Sequence, residues 1–203
     1  MAKLYIMRHG ETEWNVEKRM QGWLDSPLTL RGRSNVEKLK ERLAHIPFEA
    51  IYCSPSKRTM ETASILKGDR RIKFVEMEGL REIHMGNWEG CKQEEISKND
   101  PDLFEHFWHK PHLYHHPSGE TFFELQERAL KSISEIEANH MAGNVLIVTH
   151  TVVIKSLLAH FKGNSLDKLW DPPYIYDSSL TLIDIEKDGK KVIMGEGDVS
   201  HLD

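Results

Sequence analysis

The stretch Leu4-Tyr5-Ile6-Met7-Arg8-His9-Gly10-Glu11-Thr12 decides the fold prediction for this chain. Its four leading residues are apolar and give way at once to charge and glycine, which is typical of a buried strand that ends at a loop. The arginine can donate two parallel hydrogen bonds to an anion, and the glycine lets the backbone turn or approach a ligand closely. One interpretation of the histidine between them is a nucleophile beside an anion clamp.

Two later segments of the chain have the same organisation. The apolar run 50–53 is followed by a loop that carries Arg58, and the apolar run 145–148 is followed by Thr149 and His150. In open α/β sheets the ligand crevice lies outside the carboxyl ends of the strands. If the three strands are parallel neighbours, Arg8, His9, Arg58 and His150 meet in one pocket.

Helical periodicity between these runs indicates the fold class. Apolar residues recur at helical spacing in residues 30–43, 57–66, 121–139 and 151–161, and Thr29 is a suitable N-cap for the first of these helices. Strands that alternate with helices predict an α/β fold with a mainly parallel sheet and helices on both faces. Residues 180–185 and 191–194, joined around Asp188-Gly189, predict a terminal antiparallel hairpin.

Length and composition predict a single globular domain over residues 1–203. The chain is 39% hydrophobic and has no apolar run near the ~18 residues that a membrane span needs. Residues 86–120 are rich in Trp, His and Pro, and we expect them to form an inserted lobe that caps the pocket. The first strand begins at Lys3, which leaves no room for a signal peptide, and the two cysteines make no disulfide framework. The expected location is therefore the cytoplasm.

The charge balance restricts the class of partner. The chain has 27 basic and 32 acidic residues and a net charge of −5, which disfavours nucleic acid and anionic membrane surfaces as partners. An anionic substrate would then be attracted by a local group of cations such as Arg8 and Arg58. The composition assigns no oligomeric state.

Four sets of residues stand out as motifs. They are Arg8-His9-Gly10-Glu11-Thr12 with Asn15, Gly22-Trp23 and Pro27-Leu28-Thr29 before Gly32; Ser54-Pro55 with Arg58 and Glu61-Thr62-Ala63; Leu80-Arg81-Glu82 with Gly86 and Trp88-Glu89-Gly90; and Val148-Thr149-His150. Together they resemble the signature of the histidine phosphatase superfamily, the phosphoglycerate-mutase-like proteins. Each motif alone is weak, but four in order between residue 3 and about residue 160 are very specific.

The C-terminal part of the chain is similar to one branch of that family, the bacillary broad-specificity phosphatases. The similar segments are residues 169–174 and 195–201. One departure lies after the last motif, where many relatives carry two glycines and, further along, an arginine. Here the positions are Thr151, Val152 and Lys155. We expect this departure to affect the shape of the pocket more than catalysis.

The resemblance implies a phosphatase that works through a phosphohistidine. Neutral His9 would attack phosphorus as the nucleophile. Arg8 and Arg58 would hold the phosphoryl oxygens that are not transferred, because phosphoryl transfer depends mainly on positioning and electrostatic stabilisation. His150 would complete this cage as an imidazolium, which the charge of the phosphate favours. The expected partners are small phosphorylated metabolites, and no cofactor is expected.

Three further residues complete the predicted site. Glu82 would be the general acid that protonates the leaving oxygen, and this role requires a raised pKa. Glu11 and Glu13 are rival carboxylates, which we interpret as structural members of the first motif. Asn15 and Gln21 would be neutral donors to the phosphate, and either is almost equally suited to a turn or cap.

The segment 111–117 invites a metal interpretation because it contains His112, His115 and His116. It has no Cys or Asp, and prolines bound it, so we predict no metal site. The aromatic residues Trp88, Phe104, Phe107 and Trp108 are interpreted as the small core of the lobe rather than as a stacking platform.

Three alternatives to a broad-specificity phosphatase remain open. A cofactor-dependent phosphoglycerate mutase would share the fold, but such enzymes are generally longer than 203 residues. A narrow-specificity phosphatase of the α-ribazole phosphate type is a closer rival. The non-enzyme alternative is a module that binds phosphorylated ligands without turnover, for which loss of the nucleophile or the acid would be expected, and His9 and Glu82 are both present.

Overall fold

Six strands form one sheet in the computed structural model, which describes residues 2–202. The strands are β1 (Ala2–Arg8), β2 (Phe48–Cys53), β3 (Lys73–Glu76), β4 (Gly143–Thr149), β5 (Leu180–Ile185) and β6 (Lys191–Asp198). Their order across the sheet is β3-β2-β4-β1-β5-β6. The four strands from β3 to β1 are parallel, and β5 and β6 are antiparallel to their neighbours. The predicted fold class, an α/β fold with a mainly parallel sheet, is confirmed.

Seven α-helices connect or flank the strands in the described part of the chain. They are α1 (Glu13–Val16), α2 (Leu30–Arg42), α3 (Lys57–Lys67), α4 (Gln93–Asn99), α5 (Pro101–His109), α6 (Phe122–Asn139) and α7 (Thr151–Phe161). Thr29 caps α2 through its side chain, which accepts a hydrogen bond from the N–H of Gly32. Thr121 caps α6 in the same way. The predicted helix positions are thus confirmed to within one or two residues.

The sheet packs against a separate hydrophobic core on each of its two faces, because the side chains of a strand alternate between the faces. On β1, Leu4 and Ile6 belong to the core on one face, whereas Tyr5 and Met7 belong to the core on the other. The first core lies under α6 and α7, and the second lies under α2 and α3. Because both faces are covered, β1 is apolar on both sides up to Arg8.

The sheet differs from the prediction at its edges. Strand β3 was not predicted, because Lys73–Glu76 is short and none of its side chains is fully buried. Strand β6 continues to Asp198 instead of ending at Met194. The side chains of these edge strands are covered less completely than those of the central strands, so the apolar pattern that predicts a strand is weak there.

Residues 86–120 form short helices that pack against the body of the protein. The indole of Trp88 contacts the rings of Phe104, Phe107 and Tyr114 at centroid distances of 6.3, 6.1 and 5.7 Å. These rings do form a core, but it is not confined to the lobe, because Phe107 also packs on Phe122 of α6. The lobe is therefore fixed to the main core. Within the described residues, no helix is long and apolar enough to cross a membrane.

Candidate active site

The carboxyl ends of three adjacent parallel strands bring the predicted site residues together. Arg8 ends β1, Arg58 lies in the first turn of α3 after β2, and His150 follows β4. The order β2-β4-β1 places these ends side by side at one edge of the sheet. Convergence of these side chains, predicted from topology, is thus observed.

His9 is held in one tautomer by hydrogen bonds on both sides of its ring. Its Nδ1 lies 2.8 Å from the carbonyl oxygen of Gly10 and must therefore donate, which leaves the lone pair on Nε2. That Nε2 accepts from Nε of Arg58 at 3.3 Å. Burial, reinforced by the charges of Arg58 and Arg8, holds the pKa of His9 well below its ordinary value. The imidazole is neutral and nucleophilic at Nε2.

Arg58 is the most heavily bonded cation of the site. It is 1% exposed and donates to the carbonyl oxygens of Gly22 at 2.8 Å and Leu24 at 2.7 Å. Its Nη1 also forms an ion pair with Asp25 at 2.8 Å. The same carboxylate of Asp25 accepts from the first N–H groups of α3, at Lys57 and Arg58. Asp25 therefore fixes both the helix start and the guanidinium.

Arg8 is held differently and keeps a free donor. Its Nη1 donates to the carbonyl oxygen of Ile175 at 2.8 Å, whereas its buried Nε has no partner in the described structure. Arg8 lines the cavity together with His9 and Arg58. A buried guanidinium donor without a partner is suited to an anionic ligand.

His150 is buried next to Arg58 and contacts it and Ser54. Its Nδ1 lies 3.1 Å from Nη2 of Arg58, and its Nε2 lies 2.8 Å from Oγ of Ser54. Because Arg58 can only donate, Nδ1 must accept and Nε2 must donate. Burial first, and then the charge of Arg58, holds the pKa of His150 well below its ordinary value. The expected imidazolium therefore depends on phosphate charge, since the protein itself favours the neutral ring.

Glu82 is the carboxyl group of the site with a raised pKa. It is 9% exposed and lines the same cavity. Burial raises its pKa, although hydrogen bonds from the N–H groups of Ile83 and Val152 oppose this effect, as does the charge of Arg58. A carboxyl group whose pKa is raised by burial is better suited to donate a proton near neutral pH than an exposed one.

The amide side chains of Asn15 and Gln21 both form hydrogen bonds with Thr12. Oδ1 of Asn15 accepts from the N–H and the hydroxyl of Thr12, which closes a capping box at α1. Nε2 of Gln21 donates to Oγ1 of Thr12 at 2.9 Å. Both residues line the cavity, and both have a capping or loop contact as well. Glu11 is paired with Arg31 and accepts from the hydroxyl of Thr29, which agrees with its structural interpretation.

A cavity of about 720 Å³ opens over this cluster. Beyond the charged residues, its wall includes six aromatic side chains, one from α1 and the others from the lobe and the segment 170–176. These are Trp14, Phe107, Trp108, Trp170, Tyr174 and Tyr176. Such a wall offers contact area and few fixed hydrogen-bond partners for the rest of a substrate.

Several residues that shape the site were not found by sequence reasoning. Asp25 and Arg128 hold other side chains or backbone and carry no pattern that predicts this role, whereas Ser54 belongs to the second motif but its hydrogen bond to His150 was not predicted. Arg128 donates to three carbonyl oxygens of the Glu82 loop, those of Gly79, Arg81 and Glu82. The position of Asp25 between two parts of the first motif was the available signal.

The histidine-rich segment is used structurally at His116. Its Nε2 lies 2.8 Å from the side-chain oxygen of Asn87, and its Nδ1 accepts from the N–H of Ser118. Across residues 2–202 there is no group of three His, Cys, Asp or Glu side chains that could hold a metal ion. The ring nitrogens of His116 are thus committed to the lobe.

Comparisons with known proteins agree with this geometry. A family model described as the histidine phosphatase superfamily, branch 1, matches residues 4–195. The chain is similar to the structure of Bacillus stearothermophilus YhfR, with 50% sequence identity, a TM-score of 0.98 and 100% coverage of both chains.

Two curated relatives carry a substrate in their names. Phosphoserine phosphatase 1 of Hydrogenobacter thermophilus is 31% identical over 170 residues, which is 84% of this chain and 81% of the relative. The metal-independent phosphoserine phosphatase of Arabidopsis thaliana is 29% identical over 206 residues, which is 100% of this chain and 84% of the relative.

Proposed function

The chain belongs to branch 1 of the histidine phosphatase superfamily, and on that premise we propose that it hydrolyses small phosphomonoesters with broad specificity through His9. As a member of this family it is a phosphatase with a histidine nucleophile that acts on small phosphorylated metabolites. The observation that carries the proposal is the fixed tautomer of His9. Its neutral Nε2 faces Arg58 in a cavity that also contains an acid, Glu82.

In the first step, Nε2 of His9 attacks phosphorus while the bond from phosphorus to the ester oxygen breaks. Glu82 gives its proton to that oxygen, so the product leaves as an alcohol. Arg8 and Arg58 hold the remaining phosphoryl oxygens, where the charge of the transition state is spread. This step leaves a phosphohistidine and an ionised Glu82.

In the second step, water replaces the alcohol. The Glu82 carboxylate takes a proton from water as its oxygen attacks phosphorus, and the bond from phosphorus to Nε2 breaks. Inorganic phosphate, neutral His9 and protonated Glu82 are then restored. The raised pKa of Glu82 supports both of its roles, since one group must give a proton to the leaving oxygen and then take another from water.

The aromatic wall supports broad specificity. A site that hydrogen-bonds a defined substrate group rejects analogues by ~10⁴–10⁵-fold, whereas an apolar pocket discriminates by only about 10–200-fold. Of the cations in the wall, Arg31 pairs with Glu11 and Arg19 pairs with Glu17, whereas Lys18 forms no ion pair in the described structure. The likeness to a Bacillus protein also agrees with the bacillary branch.

A panel of phosphomonoesters tests the proposal. The panel should contain phosphoserine, 3-phosphoglycerate, α-ribazole phosphate, a sugar phosphate, a nucleotide and p-nitrophenyl phosphate, with released phosphate as the readout. We expect kcat/KM values within about 200-fold of one another. One substrate preferred by ~10⁴-fold would contradict broad specificity and favour a narrow phosphatase.

The 3-phosphoglycerate arm also separates hydrolase from mutase. Release of inorganic phosphate is expected without added 2,3-bisphosphoglycerate. Rapid formation of 2-phosphoglycerate that depends strictly on the bisphosphate would instead identify a mutase. Absence of turnover with measurable phosphate binding would identify a binding module.

A further inference from the structure

Glu89 is a nearly buried carboxylate with no part in the chemistry described above. Its side chain is 6% exposed. It accepts hydrogen bonds from three backbone N–H groups, those of Trp23 at 2.9 Å, Met85 at 3.0 Å and Leu24 at 3.2 Å. A buried carboxylate is stable only when such donors satisfy it. These donors come from two loops. The loop 22–24 accepts a hydrogen bond from Arg58, and the loop 82–85 contains Glu82.

The first loop links Glu89 to Arg58 through a single peptide unit. The carbonyl oxygen of Gly22 accepts from Nη2 of Arg58 at 2.8 Å. The N–H of the same peptide, on Trp23, donates to Oε1 of Glu89 at 2.9 Å. The peptide therefore stands between a cation and an anion, and hydrogen bonds in such a chain strengthen one another. Glu89 thus fixes the direction of a carbonyl that orients Arg58.

The second loop links Glu89 to Glu82. Met85, which donates to Glu89, ends the short segment that begins at Glu82. The indole of Trp23 adds a second connection, since its Nε1 donates to the carbonyl oxygen of Glu82 at 2.9 Å. One carboxylate therefore holds the loop of the phosphate clamp and the loop of the acid at a fixed separation.

Gly22 makes this arrangement possible. Its φ of +52° favours glycine, and a Cβ there would lie 2.2 Å from Oε1 of Glu89. The carboxylate thus approaches the backbone closely at the peptide whose carbonyl holds Arg58.

We propose that Glu89 is a positioning residue that sets Arg58 and Glu82 relative to each other through the loops 22–24 and 82–85. The proposal rests on the proposed function and deepens it. Glu89 touches neither substrate nor reacting atoms, so its effect must be visible in the two residues it positions.

The test is the variant Glu89→Gln, which removes the charge and replaces one accepting oxygen by an amide donor. Two quantities are measured: the inhibition constant of inorganic phosphate, and the ratio of the single-turnover phosphorylation rate with glycerol 2-phosphate to that with p-nitrophenyl phosphate. We expect the inhibition constant to rise by about tenfold to a hundredfold, as for loss of a hydrogen bond to a charged group. The ratio should fall as well, because only the alkyl ester needs a proton from Glu82.

Further variants distinguish the link from Glu89 to Glu82 from the link to Arg58. Trp23→Phe removes the indole N–H bond to Glu82 and keeps an aromatic ring beside Arg81 and His84, so the ratio should fall about two- to tenfold while the phosphate constant stays within about twofold. Glu94→Gln is the matched control, since Glu94 is an exposed carboxylate of α4 paired with Lys98, and it should change neither quantity. Glu89→Asp, which keeps the charge, replaces Glu89→Gln if that variant does not fold, and it should raise the phosphate constant by a smaller factor.

A purely structural Glu89 would lower the melting temperature or the fraction of active protein and leave both quantities unchanged in the folded molecules. That result in Glu89→Gln or Glu89→Asp overturns the proposal. Failure of the proposed function is distinct, because it would show as no phosphate release by the unaltered protein. Calorimetric binding of inorganic phosphate would still compare the variants in that case.

Discussion

His9 and His150 are both buried and both neutral, yet their hydrogen bonds give them different tasks. The two nitrogens of His150 are occupied by Arg58 and Ser54. In His9, only Nδ1 is firmly bonded, and Nε2 has a longer contact of 3.3 Å with Arg58. His9 lines the cavity, so its lone pair is the available nucleophile. The sequence placed both histidines at strand ends but could not show which ring nitrogen each of them leaves free.

Glu82→Gln should separate substrates by their leaving groups. An alkoxide needs a proton to leave phosphorus, whereas p-nitrophenolate is stable enough to leave without one. We therefore expect the rate of phosphorylation by alkyl phosphates to fall by ~10²–10⁴-fold and the rate with p-nitrophenyl phosphate to fall much less. Single-turnover kinetics measure this, because Glu82 acts again when the phosphohistidine is hydrolysed and would mask the difference at steady state.

His9→Ala is the reference for that experiment. It removes the nucleophile, so turnover of both esters should be abolished. Equal losses on both esters in Glu82→Gln would mean that Glu82 positions the site without donating a proton. Glu11 would then be the next carboxylate to replace.

The pH dependence should also differ between the two esters. Burial raises the pKa of Glu82 and lowers that of His9, so neutral His9 and protonated Glu82 coexist over a range of pH. Alkyl esters need both forms, and the aryl ester needs only neutral His9. The ratio of alkyl to aryl phosphorylation rates should therefore fall as pH rises through the Glu82 pKa, with a midpoint above 4.5. In Glu82→Gln the ratio should be independent of pH, and a constant ratio in the unaltered protein would contradict proton donation by Glu82.

At the scale of elements, the residues that follow strands were predictable and those that hold loops were not. An apolar run that stops at Arg8 or at His150 marks a strand end, and parallel strands bring such ends together. Asp25, Glu89 and Lys155 have no periodic pattern around them, because most of their partners belong to segments distant in sequence, such as the start of α3 for Asp25 and residues 23 and 24 for Glu89. Their contacts depend on loop conformations that local composition does not determine.

Lys155 on α7 shows how such a residue stabilises a loop. Its buried ammonium donates to the carbonyl oxygens of Asp171 and Pro173, just before Tyr174 enters the cavity wall. Lys155→Met leaves these carbonyls without their donor, so we expect a loss of about 1–3 kcal/mol in the free energy of unfolding, measured in urea.

Lys162→Met is the matched control for that measurement. Lys162 follows the same helix and pairs with Glu196 at the surface, and such a pair contributes about 0–1 kcal/mol. If both variants lose equally little stability, Lys155 does not hold the segment 171–173. The KM for phosphoserine is measured on the same variants. It shows whether loosening of residues 171–173 also disturbs the hydrogen bond from Arg8 to the carbonyl oxygen of Ile175.

At the scale of the whole molecule, the composition of the site predicts independence from metal ions. The cluster consists of His, Arg and a single raised-pKa carboxyl group, whereas Mg²⁺ sites are built from ionised carboxylates and water. Phosphate release should survive prolonged treatment with EDTA. Activity that is lost and then restored by Zn²⁺ or Mg²⁺ would contradict the phosphohistidine mechanism.

The position of β1 in the sheet has a consequence for how the protein is made. Its two neighbours are residues 143–149 and 180–185, so β1, which ends just before His9, has no neighbour in the sheet until residue 149 has left the ribosome and lacks the second until residue 185 has. At about 5–20 residues per second, synthesis from residue 8 to residue 185 takes about 10–35 seconds. During this interval an apolar strand is exposed, which favours aggregation or binding to a chaperone. The catalytic cluster is consequently among the last parts of the molecule to assemble, although Arg8 and His9 are translated well before the strands that flank β1.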